Sequence, residues 1–292
     1  MKPVISAMLI SLLLPGSLSA GLHISVLPFQ ELPADWRGFL TDHRALRLAA
    51  VPMVRPDLPA PPLRETLADA ALKLEAKQRI RPLSADELAD LGGLYLRLGA
   101  LEKALDTLRP AARQYPEHFR IAANLGTAWQ MLGDLEQALF ALAEAIRLAP
   151  KEWRELEQYH HQLVKLRLAE GRDARNAQTL DNLFGCRYVG ESGEPEAGSL
   201  AAVSRQKLPG NAVAIVQQLA LWLPGDGRLL WQLAELANAS GDVRTAANIL
   251  DGCVTEFGMK SEELRARRLL YRRASDVLRR REDHQGHRGT LR

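Results

Sequence analysis

Apolar and small residues run along the middle of the chain in two superposed periods. Within short segments they fall at i, i+3, i+4 and i+7, the stripe of an amphipathic helix. Between segments the pattern returns after 34 positions: Gly92 and Gly126, Ala104 and Ala138, Pro116 and Pro150. Leu91-Gly92-x2-Tyr95 is answered by Leu125-Gly126-x2-Trp129. The small positions Gly92, Ala104 and Ala111, then Gly126, Ala138 and Ala145, predict paired helices that cross closely. Leu91, Tyr95 and Leu108, then Leu125, Trp129 and Leu142, fill the space between them. Gly99 and Gly133 mark the turn inside each pair, where glycine takes a positive φ at little cost. Ser84 followed by Glu87 is a capping-box start. Pro116 and Pro150 end the second helices, and Pro110 predicts a kink or a shortened first turn.

The flanks are less regular. The stretch from Val51 to Pro62 holds five prolines and predicts a linker or surface strap, with helices on either side over 34–50 and 63–77. Ala70 and Pro82 lie 34 before Ala104 and Pro116, which suggests the second half of a leading repeat. Downstream, Leu230-x2-Leu233-Ala234-x2-Ala237, then Gly241, Ala246, Leu250 and Cys253, form a weaker copy over 227–260. Ala246 is 34 after Ala212, so 193–226 is a further divergent unit, and 151–185 another. A long helix is predicted over 152–169, a shorter one over 174–184, and an inserted loop over 185–193. Residues 261–281 predict a last helix with Ala266, Leu270, Ala274, Val277 and Leu278 as its apolar stripe. From Glu282 the periodicity stops, and a disordered tail is expected.

A period of 34 with this arrangement of small, large and terminating residues resembles the tetratricopeptide (TPR) family. The resemblance is specific over 83–150, in two tandem copies (83–116 and 117–150). It implies an all-α, TPR-like α-solenoid of stacked antiparallel helix pairs over 63–260, closed by a basic capping helix. It also implies a concave groove that binds a protein or peptide. By resemblance, Arg97, Arg120, Gln130, Met131, Arg228, Trp231, Glu235 and Asn238 lie in or near that groove. Trp231 between Arg228 and Glu235 is either an interface anchor or packed against the preceding repeat. The family's clamp for a terminal carboxylate places a lysine and an asparagine where this chain has Ala89 and Gly93, so that specialisation is not expected. Asn124 matches the family's asparagine in the next copy.

Composition changes the picture at the N-terminus. Lys2, an apolar run from Val4 to Leu14, the break at Pro15-Gly16 and the small residues Ser17 and Ser19 make a signal-peptide pattern over 1–20. The run is shorter than the ~20 residues of a membrane span. Export to a periplasm, cell envelope or the exterior is expected. The formal net charge of +3 is too small to imply a polyanion partner, and nucleic acid is not expected. Two cysteines, Cys186 and Cys253, make no disulfide framework; two separate buried thiols are the reading preferred over a bond.

Catalytic motifs are missing from the sequence: it holds no G-x-S-x-G, P-loop, G-x-G-x-x-G after a strand, or H-E-x-x-H. Glu157, His160 and His161 form the best metal-like cluster, and zinc would need further ligands. No cofactor is expected. The terminal helix carries eight arginines, of which Arg265, Arg268, Arg272 and Arg279 lie away from its stripe and suit weak contact with an anionic membrane. The expectation is therefore a non-enzymatic binding scaffold acting after export. The alternatives are a membrane-surface adaptor working through the arginine helix and an envelope hydrolase or metalloenzyme built on 157–198.

Overall fold

Each apolar stripe between Ala85 and Leu148 becomes a helix in the computed structural model, which describes residues 22–25, 32–33, 35–51, 60–171 and 178–289, with side chains placed as far as Glu282. The helices are α1 (Trp36–Ala50), α2 (Pro62–Ile80), α3 (Ala85–Arg97), α4 (Leu101–Gln114), α5 (Phe119–Leu132) and α6 (Leu135–Leu148). They continue with α7 (Lys151–Ala169), α8 (Ala202–Arg205), α9 (Ala212–Trp222), α10 (Gly227–Ala239), α11 (Val243–Thr255) and α12 (Glu262–Gly289). Among the described residues there is no strand, and the class is all-α. The expected leader over 1–20, and most of the proline-rich stretch, lie outside the described residues. No described helix is long and apolar enough to cross a membrane.

Local chemistry sets the helix ends. The Ser84 hydroxyl accepts from the Glu87 N–H while the Glu87 carboxylate accepts from the Ser84 N–H, which satisfies two orphan donors of α3. Asp134, Asp226 and Asp242 cap α6, α10 and α11 by accepting from the N–H groups of Gln137, Arg228 and Thr245. Gly99, Gly133 and Gly241 close the pairs α3–α4, α5–α6 and α10–α11 at φ of 72°, 85° and 89°. The α4 helix runs through Pro110 to Gln114.

Successive helices pack on one another from α1 to α7 and from α9 to α12, and α3 also meets α5. The crossings are as close as the small residues predict. A Cβ on Gly92 would come within 2.4 Å of Leu108, and one on Gly126 within 2.6 Å of Leu142. Two junctions join the halves: α7 packs on α9, and α1 departs furthest from the nearest-neighbour order by packing on α2, α3 and α9. Its Ala49 belongs to the core around α3–α5, while Phe39 and Leu46 belong to the core around α9–α12. Arg97, at the end of α3, also reaches the carbonyl oxygens of Leu221 and Trp222 at the end of α9.

Three expectations are corrected. Residues 178–184 are not helical, and 172–177 lie outside the described residues, so the helix expected over 174–184 is not found where it can be seen. The unit over 151–185 therefore contributes α7 alone, and the unit over 193–226 has only the four-residue α8 before α9. The physical reason is long-range: Arg167 and Arg228 hold Asp181 in an extended chain. Second, α12 continues to Gly289, past the expected end at Arg281. Third, α12 buries Leu264, Arg267 and Tyr271, whereas Ala266, Val277 and Leu278 are exposed. Glu235 in α10 sets that rotation, because it accepts hydrogen bonds from both Arg267 and Tyr271.

Candidate functional site

The side chains that face inward from α3, α5 and α7 close around four residues of the chain's own N-terminal region. Leu22, His23 and Ile24 are buried there, outside any helix. The grip is partly on the main chain. The His23 carbonyl accepts from Arg120 Nε at 3.0 Å and from Asn124 Nδ2 at 3.4 Å. Asp90 Oδ1 accepts from the Ser25 N–H at 2.8 Å, and its other oxygen accepts from the Ser25 hydroxyl. Arg120 braces the site by pairing with both Asp86 and Asp90, and Asn124 also donates to the Ala89 carbonyl at 3.0 Å.

The side-chain seats are more selective. Ile24 lies over Gly93, where a Cβ would come within 2.5 Å of its Cγ1. The His23 ring sits among Phe119, Trp153 and Trp222, with centroids at 4.5, 4.9 and 5.4 Å. Its Nε2 lies 2.8 Å from Glu157 Oε1. Burial alone would raise the Glu157 carboxyl, but the two imidazoles beside it, His160 and His23, prevail and hold its pKa down to about 2. His160 Nδ1 stands 3.8 Å from the second carboxylate oxygen, too far for a full hydrogen bond. His160 Nε2 is engaged instead by Gln130 Oε1 at 2.6 Å.

The cluster Glu157, His160 and His161 is thus divided. Glu157 and His160 are buried and turned to His23 and Gln130, while His161 is half-buried on its own. No group of three or more metal-ligating side chains that could hold an ion occurs among the described residues.

The inward face of α10 is filled by another stretch of the chain, 178–200. Asn238 donates to the carbonyls of Glu196 (2.9 Å) and Ser199 (3.4 Å) and accepts from the Gly198 N–H at 2.7 Å. Arg228 donates to the Thr179 carbonyl at 2.9 Å and pairs with Glu170 and Asp181 at 2.6 and 2.8 Å. Gln232 meets the Tyr188 hydroxyl at 3.1 Å, and Arg267 meets the Tyr188 carbonyl at 2.7 Å. Trp231 is fully buried and donates Nε1–H to Glu235 at 3.0 Å, so it offers no exposed anchor. Burial pushes the Glu235 carboxyl up, against the pull of Arg267.

The eight groove positions read from sequence therefore separate. Arg120 touches the N-terminal segment, and Gln130 supports its surroundings through His160. Met131 packs half-buried against both large cores. Arg228 and Asn238 hold the 178–200 stretch, Trp231 donates to Glu235, which meets Arg267 of α12, and Arg97 bridges to α9. Asp90, Gly93 and His23 had not been singled out as contact residues. No local period points to them: Leu22 and His23 lie in a bend closed by the Ile24 N–H on the Leu22 carbonyl, and their partners are far away in sequence.

On the terminal helix, Arg268 and Arg272 both pair with Asp251, at 2.6 and 2.9 Å, and Arg279 pairs with Asp276 at 2.8 Å; Arg265 is exposed. Both cysteines are buried and free. No family model matches the chain, and no curated protein matches it.

Proposed function

We propose that this chain is a non-enzymatic scaffold of the tetratricopeptide type that acts after export and holds a short segment of a partner polypeptide on the inward face of α3, α5 and α7. One observation carries the reading: Arg120, Asn124 and Asp90 already grip the main chain of a short bent segment in no helix, His23 to Ser25, through its carbonyl and N–H groups. Main-chain bonds of that kind hold a ligand's backbone whatever its side chains, and adjoining seats choose among sequences. The 34-residue echo supports the family assignment, and the apolar run before Pro15 supports export.

The test is selection of displayed random peptides on the full chain, wild type and Ile24→Gly alike, followed by binding to Asn124→Ala and Arg120→Ala. Peptides that act as proposed lose about fivefold in affinity with Asn124→Ala and tenfold or more with Arg120→Ala, since one neutral hydrogen bond is worth about 1 kcal/mol and a charged donor more. Enriched peptides that bind the two variants unchanged would remove the groove from consideration.

A further inference from the structure

Two adjacent glycines in the middle of α3 serve different neighbours. Gly92 admits Leu108 of α4, an ordinary helix–helix contact. Gly93 admits Ile24, with Asn124 Nδ2 also within 3.2 Å of where its Cβ would be. Interior glycine weakens a helix, so Gly93 is a concession made for whatever side chain lies on it. That side chain belongs to a segment in no helix, joined to the groove by the contacts already described and by no backbone ladder. The groove of α10 holds a much longer occupant: Arg228, Asn238, Gln232 and Arg267 meet it at points spread from Thr179 to Ser199.

We infer that residues 22–25 are a built-in competitor for this groove. The partner that displaces them is a polypeptide segment of like pattern that can take the same bend: a hydrogen-bonding residue facing Glu157, then an aliphatic residue over Gly93, then a hydroxyl residue on Asp90. The inference rests on the peptide-groove reading given above. Each element of the pattern answers one feature of the wall. The ring cage of Phe119, Trp153 and Trp222 around a buried carboxylate accepts a flat donor. The gap at Gly93 takes a branched aliphatic side chain, and Asp90 takes a hydroxyl together with its own N–H. A segment tethered in the same chain acts at an effective concentration near 1 mM. If its own dissociation constant is about 100 μM, a free competitor binds the occupied protein about tenfold more weakly than the vacated one.

The experiment uses the full chain and a fluorescein-labelled peptide spanning residues 21–27 of this sequence, read by fluorescence polarisation. Wild type is compared with Ile24→Gly, which loosens the segment, and with Ile24→Gly combined with Gly93→Leu, which fills its seat. Circular dichroism verifies the helices, and His23→Gly provides a second route to release if Ile24→Gly is poorly folded. The expected result is binding to the released forms at least tenfold tighter than to wild type, abolished by Gly93→Leu. Equal binding to wild type and released protein, still abolished by Gly93→Leu, overturns the competitor while leaving the groove. If the released forms bind display-selected peptides but not this one, the residue pattern is wrong. Binding indifferent to Gly93→Leu overturns the competitor and the groove together.

Discussion

Glu157 and His43 are both buried titratable groups, and each ties the fold to a different pH window. Glu157 has its pKa lowered to about 2 from the 4.5 of a free glutamate, so its contribution is present above pH 4.5 and is lost as pH falls toward 2. The full shift corresponds to on the order of 3 kcal/mol. Glu157→Gln should therefore flatten the loss of stability between pH 4.5 and 2 in urea unfolding, and profiles that stay parallel to wild type would contradict this. His43 is held neutral by burial and by the nearby Arg47, which together lower its pKa to about 4. Its unfolded form takes up a proton from about pH 6.5 downward while the folded form does not, so stability falls between pH 6.5 and 4. His43→Phe, beside Phe39 and Phe257, should remove that earlier slope and leave the acid one. An unchanged slope would assign it to another group. Sequence spacing alone brought Glu157 and His160 together, because i and i+3 share a helix face. The third member, His23, lies 134 residues away from Glu157, and no local period reports a contact of that range.

At the scale of the helix, what could be read in advance depended on whether the determinant was local. Capping at Ser84, the turn glycines and the small-residue crossings of α3 to α6 follow from short-range patterns, and these helices appear where the echo places them. The helix expected over 174–184 is absent from 178–184, because arginines from α7 and α10, not its own residues, fix the path there. Likewise α12 turns Arg267 inward, which a hydrophobic count assigns to solvent, because Glu235 waits for it inside. Two interior glycines give opposite predictions. Alanine at either gains up to ~1 kcal/mol of helix propensity. At Gly126 the new methyl would meet Leu142 Cγ at 2.6 Å and its backbone nitrogen at 3.3 Å, so overpacking of about 1–3 kcal/mol outweighs the gain. At Gly252 in α11 nothing lies within 4 Å, and the gain stands. Chemical denaturation should show Gly126→Ala less stable and Gly252→Ala more stable than wild type. The same sign for both would mean that the helix crossing is looser than drawn.

Helices that touch only their chain neighbours melt as a one-dimensional array, with local rather than global cooperativity. Here α1 interrupts that logic. It supplies Ala49 to one core and Phe39 and Leu46 to the other, and its Arg44 and Arg47 both pair with Glu256 just past α11. The groove of α3, α5 and α7 also meets the second half directly, since α7 packs on α9 and Trp222 of α9 is one wall of the His23 cage. Coupling between the halves should depend on α1 more than on any comparably buried position inside one repeat. Leu46→Ala and Leu142→Ala both truncate a fully buried leucine, and each should cost about 2–5 kcal/mol. Only the first weakens the brace. Unfolding followed by far-ultraviolet circular dichroism and by tryptophan fluorescence should remain coincident in wild type and Leu142→Ala, and separate into two transitions in Leu46→Ala. Coincident transitions in both variants would place the coupling elsewhere, with Arg97 and its hold on the Leu221 and Trp222 carbonyls the next junction to cut.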